Sequence, residues 1–265
     1  MKFLFFFVFC TFVFLNSISL HSKESSDEPS LFIKIEHHEE DLPFLQNLYL
    51  QYKNRLLIQP NDYDLKIHAA ETIFYLVQLT DDKSKKIELL NEGIKWAQEA
   101  SILKPQDPGG YFYYGILNGL KAQVGDLFLG LKLKNLIRDS MEKVITIAPS
   151  YSHGDALLAL GDWYSEVPKV MGGDDEKAKD YFNQALEIAP DCSQPYVGIA
   201  KIYIQKLKFD LAKKQLQLVL NFSQKNSICE YENRKSKKEA EELLKKVEKR
   251  LSIPLRGFSA IHAHE

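Results

Sequence analysis

Apolar residues along this chain recur every three or four positions, in blocks that each run into a proline. "LYLQYKNRLLIQP" ends at Pro60, "IKWAQEASILKP" at Pro105, "IRDSMEKVITIAP" at Pro149 and "YFNQALEIAP" at Pro190. That spacing lays the apolar side chains along one stripe of a helix, and the proline ends the helix because it lacks an N–H and crowds the preceding turn. The intervals, 60 to 105, 105 to 149 and 149 to 190, are 45, 44 and 41 residues. Beyond Pro190 the period tightens: Ala178, Phe182 and Ala185 recur 34 positions on as Ala212, Leu216 and Val219. The pattern predicts helices near 42–58, 62–79, 84–103, 109–123, 126–147, 153–166, 174–188, 193–206, 208–221 and 234–251, and no sustained two-residue alternation predicts a strand.

A repeat built of two helices has a packing logic. The second helix carries small residues where its partner crosses closely, and a large side chain four residues on fills the gap. Thirty-four residues is the tetratricopeptide period, and the small and aromatic positions resemble that repeat. The first helices supply matching small residues at Ala70, Gly115, "ALGDWY" (159–164) and Ala200. The fold expected is an all-α, tetratricopeptide-like α-α solenoid, a right-handed superhelix of helix hairpins. The longer early units carry seven to eleven extra residues, read as longer helices or as loops. Residues 234–251, "RKSKKEAEELLKKVEKRL", have one apolar stripe (Ala240, Leu243, Leu244, Val247, Leu251) and an otherwise charged surface. This is what a C-terminal capping helix requires, and the charge run reads as a solvated face.

The organisation expected is a signal peptide at 1–19, a polar leader at 20–40, the repeat array at 41–225, and a capping helix with tail at 226–265. Met1-Lys2 precede the apolar run "FLFFFVFCTFVFL", with small residues at Ser17 and Ser19 placed as signal peptidase prefers. Thirteen apolar residues are short for a bilayer span of roughly 20, so an exported, periplasmic protein is expected. An uncleaved N-terminal segment would leave it membrane-associated. Phe9 stands before Cys10 where a lipoprotein needs a small residue.

Composition adds exclusions. The formal net charge is −2 with both signs interspersed, so no basic stripe offers itself to nucleic acid. The "MGGDDEKA" turn pairs Gly172-Gly173 with the acids Asp174 and Asp175, which suits a helix start and repels phosphate. No nucleophile motif or closed ligand set is present; His37-His38 and His262, His264 with Glu265 lack a scaffold for a metal. No enzyme activity, cofactor or metal is expected. Cys192 and Cys229, 37 apart, fall in successive corners, and the spacing leaves both a disulfide and two free thiols open.

If the first helices line a concave groove at the usual repeat positions, the candidate ligand- or partner-binding residues are Ile67, Phe74, Phe112, Ile116, Leu158, Val197, Lys201 and Ile204. Asp64, Glu71 and Gln194 stand among them. That lining is greasy where peptide-binding arrays are basic. It favours an apolar ligand, a partner helix, or burial within the fold itself.

The block "GDWYSEVPKVMGGDDEKAKDYFNQALEIAP" (161–190) is similar to a segment of the T component of TRAP (tripartite ATP-independent periplasmic) transporters. Pro168, Gly172, Gly173, Asp174, Ala178, Tyr181, Phe182 and Ala185 match the family's pattern, and the likeness extends over about 60–221. The resemblance implies a periplasmic accessory protein that associates with a solute-binding protein. It also implies a trimer whose protomers carry a hydrophobic pore for a lipid-like small molecule. A scaffold for another envelope protein is the alternative.

Overall fold

The computed structural model describes residues 38–222 and 229–252. These residues form ten α-helices and no strand. They are α1 (Leu42–Ile58), α2 (Tyr63–Gln78), α3 (Lys83–Leu103), α4 (Pro108–Val124), α5 (Leu127–Ile147), α6 (Asp155–Glu166), α7 (Asp175–Ile188), α8 (Gln194–Gln205), α9 (Phe209–Asn221) and α10 (Glu230–Leu251). The expected signal segment, nearly all of the leader, His37 and the tail with His262 and His264 lie outside the described residues.

Helix starts are set locally. Asp41, Asp62, Asp82, Asp107, Asp126 and Asp174 each accept a backbone N–H of the first turn through the side chain. Such a cap satisfies an otherwise orphaned donor and places negative charge at the positive helix end. At the "MGGD" turn Gly172 takes φ +106°, and a β-carbon on Gly173 would run into the Val167 carbonyl. Only glycine closes this corner without strain.

Each helix packs on the next in sequence, forming the hairpins α2–α3, α4–α5, α6–α7 and α8–α9. The first helices of successive hairpins also touch: α2 on α4, α6 on α8, and α8 on α10. Nearest-neighbour stacking of this kind defines an all-α solenoid. The extra residues of the early units are helix: α3 and α5 have 21 residues each, against 14 in α7 and 13 in α9. The repeat signature is a close crossing. The Phe182 ring, fully buried, fills the space left by Gly161 on α6 and Gly198 on α8, where an added β-carbon would overlap it.

The core has two main parts. The larger runs from α1 to α8 through Ile73, Leu90, Leu117, Met141, Leu160 and Phe182. The smaller joins α8, α9 and α10 through Val197, Ala200, Ala212, Leu216, Val219, Ala240 and Val247.

Two boundaries differ from expectation, both with consequences for the concave side. Helix α6 starts at Asp155, after a 3-10 turn (Tyr151–Gly154) in which Ser152, His153 and Gly154 have φ of 47°, 55° and 86°. Helix α10 starts at Glu230, four residues before the expected 234. Its added first turn reaches across to α2, where the Tyr75 and Tyr231 rings stand 6.1 Å apart, and from the next turn Lys235 Nζ donates to Gln78 Oε1 at 2.6 Å. The capping helix therefore closes the concave face as well as the end of the stack.

Candidate functional site

The inward faces of four first helices and the first turn of α10 enclose a cavity of about 190 Å³. Residues three, four or seven apart on one helix share a face, and this brings the lining together. Glu71, Phe74 and Tyr75 come from α2, Phe112 and Ile116 from α4, Asp155, Leu158 and Asp162 from α6, Gln194 from α8, and Glu232 from α10. The aromatic wall is fixed by edge-on packing. Phe74 lies 5.0 Å from Tyr75 between ring centroids, and Phe112 lies 5.2 Å from Tyr113 and 5.4 Å from Tyr151.

Of the eight expected groove residues, Phe74, Phe112, Ile116 and Leu158 share this cavity. The other four stand outside it. Val197 is 3% exposed inside the smaller core, and Ile204 packs against that same core. Lys201 pairs with Glu239 of α10 at 2.7 Å. The cause is common to the three: α10 lies along α8 and covers the inner face that an uncapped unit would present. Ile67 is half-buried against the larger core. Phe112 is only 6% exposed, so a charge introduced there would perturb folding, and the half-buried Phe74 is the better probe of binding.

The lining is also less greasy than expected. It carries four carboxylates, Glu71, Asp155, Asp162 and Glu232, and no basic side chain. Burial pushes Asp155 up to about 7 although Ser152 Oγ donates to its Oδ2 at 2.8 Å. Asp162 is likewise pushed up to about 7, first by burial and then by the charge of Glu166. Glu232 is raised by burial. The phenols of Tyr75, Tyr113 and Tyr151 are raised by burial and next by the charge of Glu71, so they remain neutral donors. Desolvation penalises the charged form of an acid and shifts it in this direction.

Glu71 was visible from sequence as polar company in the groove. Asp155 and Asp162 were missed, although their spacing, seven apart with Leu158 between them on one face, was the signal. Glu232 had no such signal, because it sits in a turn of α10 ahead of the apolar stripe. The charge run from Arg234 onward is mostly solvated, but Tyr231, Glu232 and Asn233 just before it are buried or half-buried.

Cys192 and Cys229 are joined, with Cα atoms 5.3 Å apart. The bond ties the corner before α8 to the start of α10. Beside it, buried Asn233 accepts from the Ser193 N–H and hydroxyl and donates to the Asp191 carbonyl, each at 2.7 Å. Together they hold the first turn of α10, and Glu232 with it, over the cavity. No group of three or more His, Cys, Asp or Glu among the described residues is arranged to hold a metal ion.

Comparison with known proteins fits this geometry. The solved structure of TTC0263, described as a thermophilic TPR protein in Thermus thermophilus, superposes with a TM-score of 0.55 at 17% identity. The match covers 80% of this chain and 95% of that one, and shows a shared fold. A crystal structure of MamA gives a looser likeness, with a TM-score of 0.46 and 18% identity over 75% of this chain and 91% of that chain. No curated protein matches the chain. The family model of the TRAP transporter T-component matches residues 64–250, from the first groove helix to the last turn of the cap. The chain therefore belongs to the TRAP transporter T-component family.

Proposed function

We propose that this protein is an exported, non-enzymatic accessory component of a TRAP-type uptake system. In this reading it associates with an extracytoplasmic solute-binding protein and holds a small ligand with an apolar body in its concave cavity. The observation that carries the reading is the family match over 64–250 together with a walled cavity on the inner side of those same helices. Phe74, Phe112, Ile116 and Leu158 would contact the apolar part of the ligand. In this reading the carboxylates serve recognition. We assign residues 1–19 to the export signal and a periplasmic location on the same reading. Among the described residues no helix is long and apolar enough to cross a membrane.

Native mass spectrometry of mature protein purified from the envelope fraction tests this. The expected result is a protomer mass carrying a small adduct, with a solute-binding protein identified in the same preparation. A clean protomer mass with neither would overturn the proposal. A protein partner without any adduct would favour the scaffold reading, in which the inner face serves only to shape the array.

A further inference from the structure

We propose that the concave cavity takes a small organic cation with an apolar body, an alkylamine or arylalkylamine. This rests on the ligand-binding reading above and adds the charge of the ligand to it.

Four observations point the same way. The cavity is walled by Phe74, Phe112, Ile116 and Leu158, while its polar lining is acidic, with four carboxylates and no basic residue. Glu71 is 7% exposed, is hydrogen-bonded by the Tyr113 hydroxyl, and has His68 Nδ1 at 3.6 Å from its Oε2, which makes no hydrogen bond. A buried carboxylate so sparsely hydrogen-bonded keeps a demand for positive charge that a cation in the cavity it lines would meet. The cations nearest the cavity are already engaged elsewhere. Lys201 pairs with Glu239 at 2.7 Å, Lys235 donates to Gln78 at 2.6 Å, and Arg234 pairs with Glu230 at 3.1 Å. None of them lines the cavity: Lys235, Arg234 and the exposed His153 act on Glu232, and Lys201 on Asp162, only through space. Finally, Asp155 and Asp162 are held up to about 7 by burial, which at Asp162 outweighs the opposing charge of Lys201.

A divalent metal is a poorer fit. It needs several oxygen ligands at roughly 2.0–2.6 Å, and no such group exists among the described residues. An ammonium needs only donors turned toward carboxylates, and aromatic faces such as Phe74 and Tyr75 attract it further. Size agrees: an apolar cavity of about 150 Å³ holds benzene, so this one has room for a ring or short chain with a charged head. When such a cation binds, Asp155 and Asp162 lose protons to solvent, because the ligand supplies the charge that burial had denied them.

The test is isothermal titration calorimetry on the mature chain at pH 7 with phenethylamine, phenethyl alcohol and phenylacetate, in two buffers of different ionisation enthalpy. The expectation is that the amine binds at least about ten-fold more tightly than the alcohol, in keeping with a charged hydrogen bond, with proton release, and that phenylacetate does not bind. Asp162→Asn and, separately, Glu232→Gln should each weaken the amine by about ten-fold and the alcohol far less. Both variants swap a carboxylate for its amide isostere, and circular dichroism would check their fold. Equal binding of amine and alcohol would overturn the cation assignment and leave the apolar-ligand reading standing. Absence of binding by all three would overturn both.

Discussion

In α2 to α5 the paired helices run 16, 21, 17 and 21 residues; in α6 to α9 they run 12, 14, 12 and 13. The long hairpins bury enough apolar surface to form most of the larger core, from Ile73 through Met141. The short ones have fewer residues to bury, and the last of them shares only a small core with α10. That end is reinforced by the Cys192–Cys229 bond, by the buried Asn233 bridge, and by Lys201–Glu239 and Lys213–Glu248 at 2.7 and 2.9 Å. Stability from area and stability from cross-links thus divide the molecule. The cavity lies where the two regimes meet, with its apolar wall drawn largely from the first and its lid, Glu232 on α10, from the second.

The largest effect should come from attacking the joint itself. Phe182→Ala empties the ring's place between Gly161 and Gly198 and should cost about 4 kcal/mol, as large cavities in cores do. Denaturant unfolding would measure it. A loss below about 1 kcal/mol would mean that the halves are not coupled through this crossing.

Cutting the cross-link tests the division directly. A 37-residue loop released by Cys192→Ser with Cys229→Ser should lower the stability of the C-terminal end by about 3 kcal/mol, from the added freedom of the unfolded chain. Hydrogen exchange should show α10 and α8 losing protection while α2 to α4 keep theirs. Uniform loss across the chain would show one cooperative unit instead of two.

The smallest effect concerns pH. Asp155 and Asp162 have folded-state values of about 7, above the roughly 3.9 of a free aspartate. The folded state therefore binds more protons than the unfolded one between these limits. Their contribution is most favourable below about pH 4, falls as pH rises toward 7 and is level beyond. Asp162→Asn should remove part of that decline, gaining about 1 kcal/mol at pH 8 and close to nothing at pH 4. Thermal melts at the two pH values would show it, and an equal change at both would contradict the assignment.

Much of this architecture is legible in the chain itself. Proline-terminated blocks mark the hairpins, because proline cannot continue a helix whatever surrounds it. The 34-residue echo of Ala178, Phe182 and Ala185 marks the close crossing, because only small residues admit a ring there. Phe74, Phe112, Ile116 and Leu158 are readable as an inward face from helical spacing alone. Val197, Lys201 and Ile204 stand outside the cavity for one reason: a groove position is open only if nothing covers it, and α10 covers α8.

Local rules also miss the start of α10. The residues Cys229 to Asn233 carry no apolar period, and they are held in place by long-range partners: a cysteine 37 positions back, a backbone corner at 191–193 and the Tyr75 ring. The sequence by itself determined which segments are helical, where each begins and ends to within a few residues, and which stripe each buries, since these follow from short-range sterics and periodicity. Only the tertiary structure decided that four carboxylates from three separate helices face one apolar space. Their shared burial is a property of the closed stack, and no stretch of the chain contains it.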